Sequence, residues 1–207
     1  MRKLIVLLLA IGLASCAAMQ PATSVIPKPA TDWRSEATAD DRERLRDWRD
    51  SFTAALKAAR AAGHSQAIAA EGALLGPDAA LAGPVIPNGD YRCRVIKLGA
   101  KSEGLLDYVA YPAFICRVAQ NGGRQTLAKL TGSQRQTGLI FPVDAMRQVF
   151  LGTLVLGDER RALRYGRDRD RDVVGFIERI GPARWRLVMP RPHFESQTDV
   201  LELVPAG

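Results

Sequence analysis

Histidine is scarce in this 207-residue chain: only His64 and His193 occur. That removes most routes to metal-ligand sites and to triad-type acid–base chemistry, both of which lean on imidazole. Cysteine is scarce too, with Cys16, Cys93 and Cys116, and aromatic residues make up 6%. Neither Cys93 nor Cys116 has a histidine or acidic residue at ligand spacing, so zinc is not expected. Gly-x-Gly-x-x-Gly and P-loop patterns are absent, which leaves nucleotide binding without support. No Gly-x-Ser-x-Gly element marks a hydrolase nucleophile. The sequence therefore implies neither a metal nor an organic cofactor. The formal net charge is +7, but it is spread along the chain. A nucleic-acid partner, which calls for a concentrated basic face, is not expected.

What is present begins at the N-terminus. Arg2 and Lys3 precede the apolar stretch Leu4–Leu13. That stretch is about half the roughly 20 residues of a membrane span, but it has the length of a secretory signal's apolar region. Leu13-Ala14-Ser15-Cys16 has the form of a bacterial lipobox, in which Cys16 carries a thioether-linked lipid and becomes the mature first residue. The alternative is an ordinary signal cleaved elsewhere, with Cys16 incidental. Ala17 rather than Asp follows, so no inner-membrane retention signal is seen. The expected location is the inner leaflet of the outer membrane, facing the periplasm. Acyl chains such as palmitate would anchor the protein there, at about 0.8 kcal/mol per buried methylene.

In that oxidising compartment a cysteine pair is more often a disulfide than a metal site. Tyr91-Arg92-Cys93-Arg94-Val95 and Phe114-Ile115-Cys116-Arg117-Val118 share one pattern, aromatic-x-Cys-Arg-Val. Period two places their apolar members on one strand face. Paired side by side, the strands would bring the sulfurs together, so a Cys93–Cys116 bond is expected. The alternative is two buried free thiols.

The organisation reads as a signal peptide over 1–15, a proline-rich acylated tether over 16–37, a helical segment and loop over 38–88, and a β domain over 89–205. Within the tether, Trp33 is expected to dock on the domain. Thr38 followed by Asp41 is a capping signal. Leu45, Trp48, Phe52, Leu56 and Ala59 then form one apolar stripe, which predicts a single helix over 39–62 ended by Gly63. Its other face carries charges of both signs. Residues 65–75 suggest a second short helix.

From Asp90 the period changes to two. Candidate strands are 90–97, 107–118 (interrupted by Pro112), 125–131, 137–142, 148–156, 160–165, 173–179, 184–189 and 199–204. The fold class is therefore mainly β with an N-terminal α-helix, as a small antiparallel barrel or sandwich of about eight or nine strands. Residues 149–156 are apolar on both faces, which suggests that the helix covers that strand.

The stretches DYRCRVIKLG, LLDYVAYPAF, KLTGSQRQTGLIFP, FLGTLVLGDERRALRYGRD and GFIERIGPARWRLVMPRP together resemble a family of uncharacterised lipoprotein-like envelope proteins of alphaproteobacteria, grouped under domain of unknown function 4893. The likeness covers about residues 31–205. It implies location and domain extent, and it brings no activity or site residue.

Candidate chemistry is thin. His64 follows Gly63 at a helix end, where a cation meets the helix dipole. His193 could pair with Glu195 or Ser196 in a hydrolase-like group. Asp168, Asp170 and Asp172 have the first spacings of a calcium loop, but Val173 and Arg179 stand where Gly and Glu belong. A self-compensated charged loop is the plainer account. Gly132–Gly138 reads as a hairpin connection, or as a rim loop presenting donors to a sugar or peptide. Most of the aromatic residues fall at strand positions and read as core.

The expected function is a non-catalytic, periplasm-facing outer-membrane lipoprotein acting as a binding or interaction module. Its expected partners are the membrane, reached through the acyl chains, and a hydrophobic ligand or an envelope protein. The alternatives are a surface-acting structural protein or inhibitor of an envelope enzyme, and an unrecognised hydrolase using carboxylates such as Glu178 and Glu202.

Overall fold

The computed structural model describes residues 32–207; the leader expected over 1–15, Cys16 and most of the expected tether lie outside the described residues. The strands are β1 Gly89–Ala100, β2 Tyr108–Ala110, β3 Phe114–Asn121, β4 Arg124–Lys129, β5 Gln134–Pro142, β6 Arg147–Leu156, β7 Asp172–Gly181, β8 Arg184–Pro190 and β9 Ser196–Pro205. All pairings are antiparallel, in the order β2-β1-β3-β4-β5-β6-β7-β8-β9, and β9 returns to β1. The result is a closed eight-stranded barrel with β2 as an extra strand. Pro112 splits what would be one long strand. β3 pairs with β1 at Gly89–Cys93, and β2 pairs with the same edge at Ile96–Leu98.

Strand alternation divides the apolar residues into two cores. Inward positions such as Tyr91, Cys93, Leu127, Ile140, Phe150, Ile177, Trp185, Leu187 and Leu201 fill the barrel. Cys93 and Cys116 are bonded there, with their Cα atoms 5.8 Å apart. They sit diagonally, since Cys93 faces Phe114 and Tyr91 faces Cys116. Outward positions such as Ile96, Leu98, Val174, Phe176, Val188 and Val200 pack against the helices.

One end of the barrel, the foot, has tight turns and a plug. Ile86 is fully buried there. Its backbone N–H donates to Gln148 Oε1 (3.2 Å), and its carbonyl accepts from Gln125 Nε2 (2.7 Å). The other end, the mouth, carries the longer connections 101–107, 157–171 and 191–195.

The helical segment comprises α1 Trp33–Glu36, α2 Ala39–Arg46, α3 Trp48–Ala59 and α4 Ser65–Ala70. Trp33 is buried in the core cluster, docked on the domain. Thr38 caps α2 as its sequence position implies, accepting from the Asp41 N–H at 3.1 Å. The single helix expected over 39–62 is instead two, broken at Asp47 (φ −94°, ψ 11°). A straight 24-residue helix would run about 36 Å and leave the curved barrel wall. The break lets α2 rest on β7 while α3 crosses β1, β8 and β9. The helix thus does not lie along β6, the strand that is apolar on both faces. Gly63 (φ +94°) ends the run, within an irregular turn at Arg60–His64. Residues 65–75 divide into α4 and a 3-10 turn at Gly72–Leu75.

Residues 160–165, expected as a strand, form part of the 157–171 loop. A closed barrel has no free edge for another strand, because β6 is already paired with β5 and β7. Tyr165 turns toward the helices instead, donating to the Asp41 carboxylate and accepting from the Thr38 N–H. Burial and the Asp41 carboxylate push the Tyr165 phenol well above its ordinary range.

On the outer wall, Arg147, Glu178, Arg186, Glu202 and Arg94 stand in register across β6, β7, β8, β9 and β1. Opposite charges facing one another across strands stabilise a sheet. Arg186 is fully buried; it meets Glu178 at 2.6 Å and donates to the carbonyls of Ala73, Leu74 and Gly76. Arg94 holds Glu71 through two contacts. These links fasten the chain after α3 to the barrel. Charge on the outer wall and apolar side chains within are the reverse of the lipid-facing pattern of a membrane-spanning barrel. Among the described residues no helix is long and apolar enough to cross a membrane.

Candidate ligand site at the barrel mouth

The apolar interior does not run the full height of the barrel. On β1, the inward series Tyr91, Cys93, Val95 continues to Lys97. On β4, Leu127 is followed by Lys129, and on β5 the series runs back from Ile140 through Gly138 to Gln136. On β9, Leu203 and Leu201 lead to Asp199. Alternation thus delivers a layer of polar side chains to the mouth. Lys97, Lys129, Gln136, Ser196 and Asp199 are all buried. Lys97, Lys129 and Gln136 line a cavity of about 130 Å³ together with Val95, Tyr111, Phe114, Ser133, Gln134 and Glu195, while Ser196 and Asp199 lie behind Lys97. Only six lysines occur in the chain, against 23 arginines, and two of those six are in this layer.

The two lysines differ in their partners. Lys97 Nζ lies 3.2 Å from Asp199 and 3.1 Å from Glu195. Burial alone would lower its pKa, but the two carboxylates outweigh that and raise it. Asp199 also accepts from the Ser196 hydroxyl; burial raises its pKa against the pull of Lys97.

Lys129 Nζ donates to the Gln134 carbonyl at 2.8 Å and lies 3.6 Å from the centre of the Phe114 ring. No carboxylate pairs with it among the described residues. Burial, then the charges of Arg135 and Lys97, push its pKa down to about 8. Gln136 is 3% exposed, and its Oε1 has no hydrogen-bond partner. A polar group buried without a partner is destabilising by about 1–3 kcal/mol.

The rim is shaped by two loops. Gly132 (φ +88°) turns the β4–β5 connection, and a Cβ there would lie 2.8 Å from Lys129 Nζ and 2.8 Å from the Phe114 ring. The β4–β5 connection is only residues 130–133; the rest of the 132–138 stretch, expected as a loop, is the start of β5, and Ser133, Gln134 and Gln136 line the mouth. The opposite loop, 191–195, holds Arg191 (φ 47°) and Glu195 (φ 65°) in the left-handed region. Such backbone is strained by about 1–3 kcal/mol per residue and persists only where its surroundings hold it. Here Lys101 fixes the loop by donating to the carbonyls of Pro192 and His193.

Residues 33–203 match the family described as Domain of unknown function (DUF4893). The chain belongs to this family. No curated protein matches the chain, and no solved structure does.

The residues singled out from sequence fall elsewhere. His193 does not join Glu195 or Ser196; its Nδ1 lies 3.2 Å from Asp170 on the surface. Glu178 is held by Arg147 and Arg186, and Glu202 by Arg94 and Arg184. Arg186 stands between these two carboxylates in register, so they form no cleft. His64 stacks on Tyr108 with ring centres 5.3 Å apart. Within 167–172, Arg171 pairs with Asp168 and with Glu159, Arg169 pairs with Asp40, and Asp170 contacts His193 Nδ1. Among the described residues no acidic, histidine or cysteine cluster is arranged to hold a metal.

A larger open groove, about 800 Å³, lies outside the barrel between α1, residues 162–165 and β4–β6. Its facing charges, Glu36 and Arg124, neutralise each other at 2.9 Å. Each site leaves a buried polar atom unpaired, Thr153 Oγ1 in the groove and Gln136 Oε1 at the mouth; the mouth adds the buried Lys129 ammonium, which has no carboxylate partner among the described residues.

Proposed function

We propose that this chain is a non-catalytic, lipid-anchored binding module of a bacterial envelope, matching the lipoprotein leader read from its sequence, and that the barrel mouth is its binding site. One observation carries the reading: the apolar interior ends in a buried polar layer where the Lys129 ammonium and Gln136 Oε1 keep unmet hydrogen-bonding capacity. Burying such groups is unfavourable for folding alone, and a ligand with complementary groups would satisfy them. The cavity has room for about four water-sized units, so the ligand, or the part that enters, is small and polar. The Cys93–Cys116 bond supports an oxidising compartment. A filled barrel interior favours this polar site over a hydrophobic ligand held along the axis.

Two measurements test the proposal. Radiolabelled palmitate fed to producing cells should label the protein but not its Cys16→Ser variant; an unlabelled wild-type protein would remove the lipid anchor. Native mass spectrometry of residues 17–207, secreted under an ordinary cleavable signal, should show a small extra mass that is lost on unfolding. A bare protein mass, persisting after incubation with periplasmic small molecules, would refute the mouth as a binding site.

A further inference from the structure

We infer that the mouth takes a small organic acid, with its carboxylate on Lys129 Nζ and its apolar portion against Phe114 and Tyr111. This deepens the binding reading above and rests on it. The Lys129 ammonium has three donors. One reaches the Gln134 carbonyl and the Phe114 ring lies beneath the charge, which leaves donor capacity on the cavity side. Lys97, a second buried lysine in the same layer, shows what a completed partner set looks like: two carboxylates within 3.2 Å. Lys129 lacks that complement, and an incoming carboxylate would supply it. A charge-assisted hydrogen bond of this kind is shorter and stronger than a neutral one.

The surroundings narrow the class. Glu195 and Asp199 near the same cavity disfavour a dianion, so a monocarboxylate fits better than a phosphate. The cavity of about 130 Å³ limits the acid to a few heavy atoms beyond its carboxylate. Gln136 Oε1 is an acceptor without a donor, so an acid that also carries a hydroxyl or N–H would be favoured. The groups that share the cavity with Lys129 or act on its charge are Lys97 from β1, Arg135 from β5, and Glu195 and Tyr111 from the rim; Asp199 from β9 is engaged by Lys97. With the ammonium titrating at about 8 in the empty site, affinity should be flat below that pH. Above it, binding must also take up a proton, and affinity should fall about tenfold per pH unit.

The test follows the lysine side-chain carbon resonances of the protein by NMR, with Lys129 assigned from Lys129→Met. The probes are propionate, the neutral isostere propionamide, propylammonium and inorganic phosphate. Propionate should shift the Lys129 signal saturably, raise its titration midpoint, and lose affinity above about pH 8. Lys129→Met should weaken it about tenfold or more, while Glu195→Gln, which removes a nearby negative charge, should strengthen it by up to about fivefold. Saturable binding of propionamide or propylammonium in place of propionate would overturn the carboxylate assignment and leave the mouth as a site. Preference for phosphate would overturn the monoanion argument. No saturable shift from any probe, alongside a bound mass in the native spectrum, would overturn the ligand class alone; with a bare mass, the binding reading falls as well.

Discussion

Lys129→Met should make the protein more stable at neutral pH, which is the reverse of the usual outcome for a buried substitution. The side chain is 4% exposed and has no carboxylate partner among the described residues. Its pKa falls from an ordinary 10.5 to about 8, which makes the charged form less favourable in the folded protein than in the unfolded chain by about 3 kcal/mol. Methionine keeps similar volume and flexibility and removes the charge. It also removes the N–H···O bond to Gln134, a loss of about 1 kcal/mol. The net expectation is about 2 kcal/mol of stabilisation, or a rise in melting temperature of about 4–8 °C for a domain of this size.

The pH dependence separates this from a general packing effect. The folded-state pKa is lowered, so the unfavourable contribution is fully present below about pH 8, where both states are protonated. Between about 8 and 10.5 the folded protein gives up the proton first, and wild-type stability rises. The advantage of Lys129→Met should therefore shrink across that window and vanish above it. Urea titrations of both proteins at pH 7 and pH 10 measure this. A variant less stable than wild type at pH 7, or an advantage that does not change with pH, would refute the account of Lys129 as an uncompensated buried cation.

Other perturbations probe the scaffold. Arg186→Met should be destabilising by about 3–5 kcal/mol in urea unfolding, because it strands the buried Glu178 carboxylate and frees three carbonyls of the 73–76 turn; a loss under 1 kcal/mol would show that the ladder is dispensable. Replacing Cys93 and Cys116 together by alanine should lower stability by about 3 kcal/mol, from the loop-closure entropy of a 23-residue separation, read as the shift in denaturation midpoint. Gly132→Ala should be destabilising by about 1–3 kcal/mol and weaken ligand binding at the mouth, since both its φ and the position of Lys129 Nζ exclude a Cβ.

Much of the barrel was legible because period-two alternation directly encodes which side of a strand faces inward. The disulfide followed from the same alternation applied to two matching pentapeptides. Residues 160–165 misled because Leu163 and Tyr165 alternate with polar neighbours, and local pattern does not reveal that the adjacent edges are already occupied. The break at Asp47 was hidden because the apolar stripe continues through it; only the curvature of the wall beneath requires the bend. Of the mouth only one side was legible, as the alternative reading of Gly132–Gly138 as a rim loop, and the rest was hidden for a different reason. Lys97, Lys129, Gln136 and Asp199 belong to no motif, and scanning for catalytic constellations led to His193 and Glu178 instead. Their signal was positional: each extends an inward apolar series by one step, putting a polar residue where alternation predicts core.

Three inward glutamines allow that signal to be weighed within one molecule. Gln125 and Gln148 point into the barrel at its foot, and both are engaged by the backbone of Ile86, which plugs that end. Gln136 points inward at the mouth, where no segment of the described chain plays the part of Ile86, and its Oε1 is unpaired. The residue type and the inward placement are the same, and the burial at 3–5% is the same for Gln136 and Gln148; only the partner differs. If inward glutamines served only to close the ends, Gln136 would be engaged as Gln125 and Gln148 are. The foot is closed by its own chain, and at the mouth an unpaired acceptor and an ammonium without a carboxylate partner share one cavity, the arrangement a separate molecule would complete. Filling the mouth with Gln136→Leu and Lys129→Met should thus raise stability while abolishing ligand binding, and a double variant that still binds propionate would show that the ligand sits elsewhere.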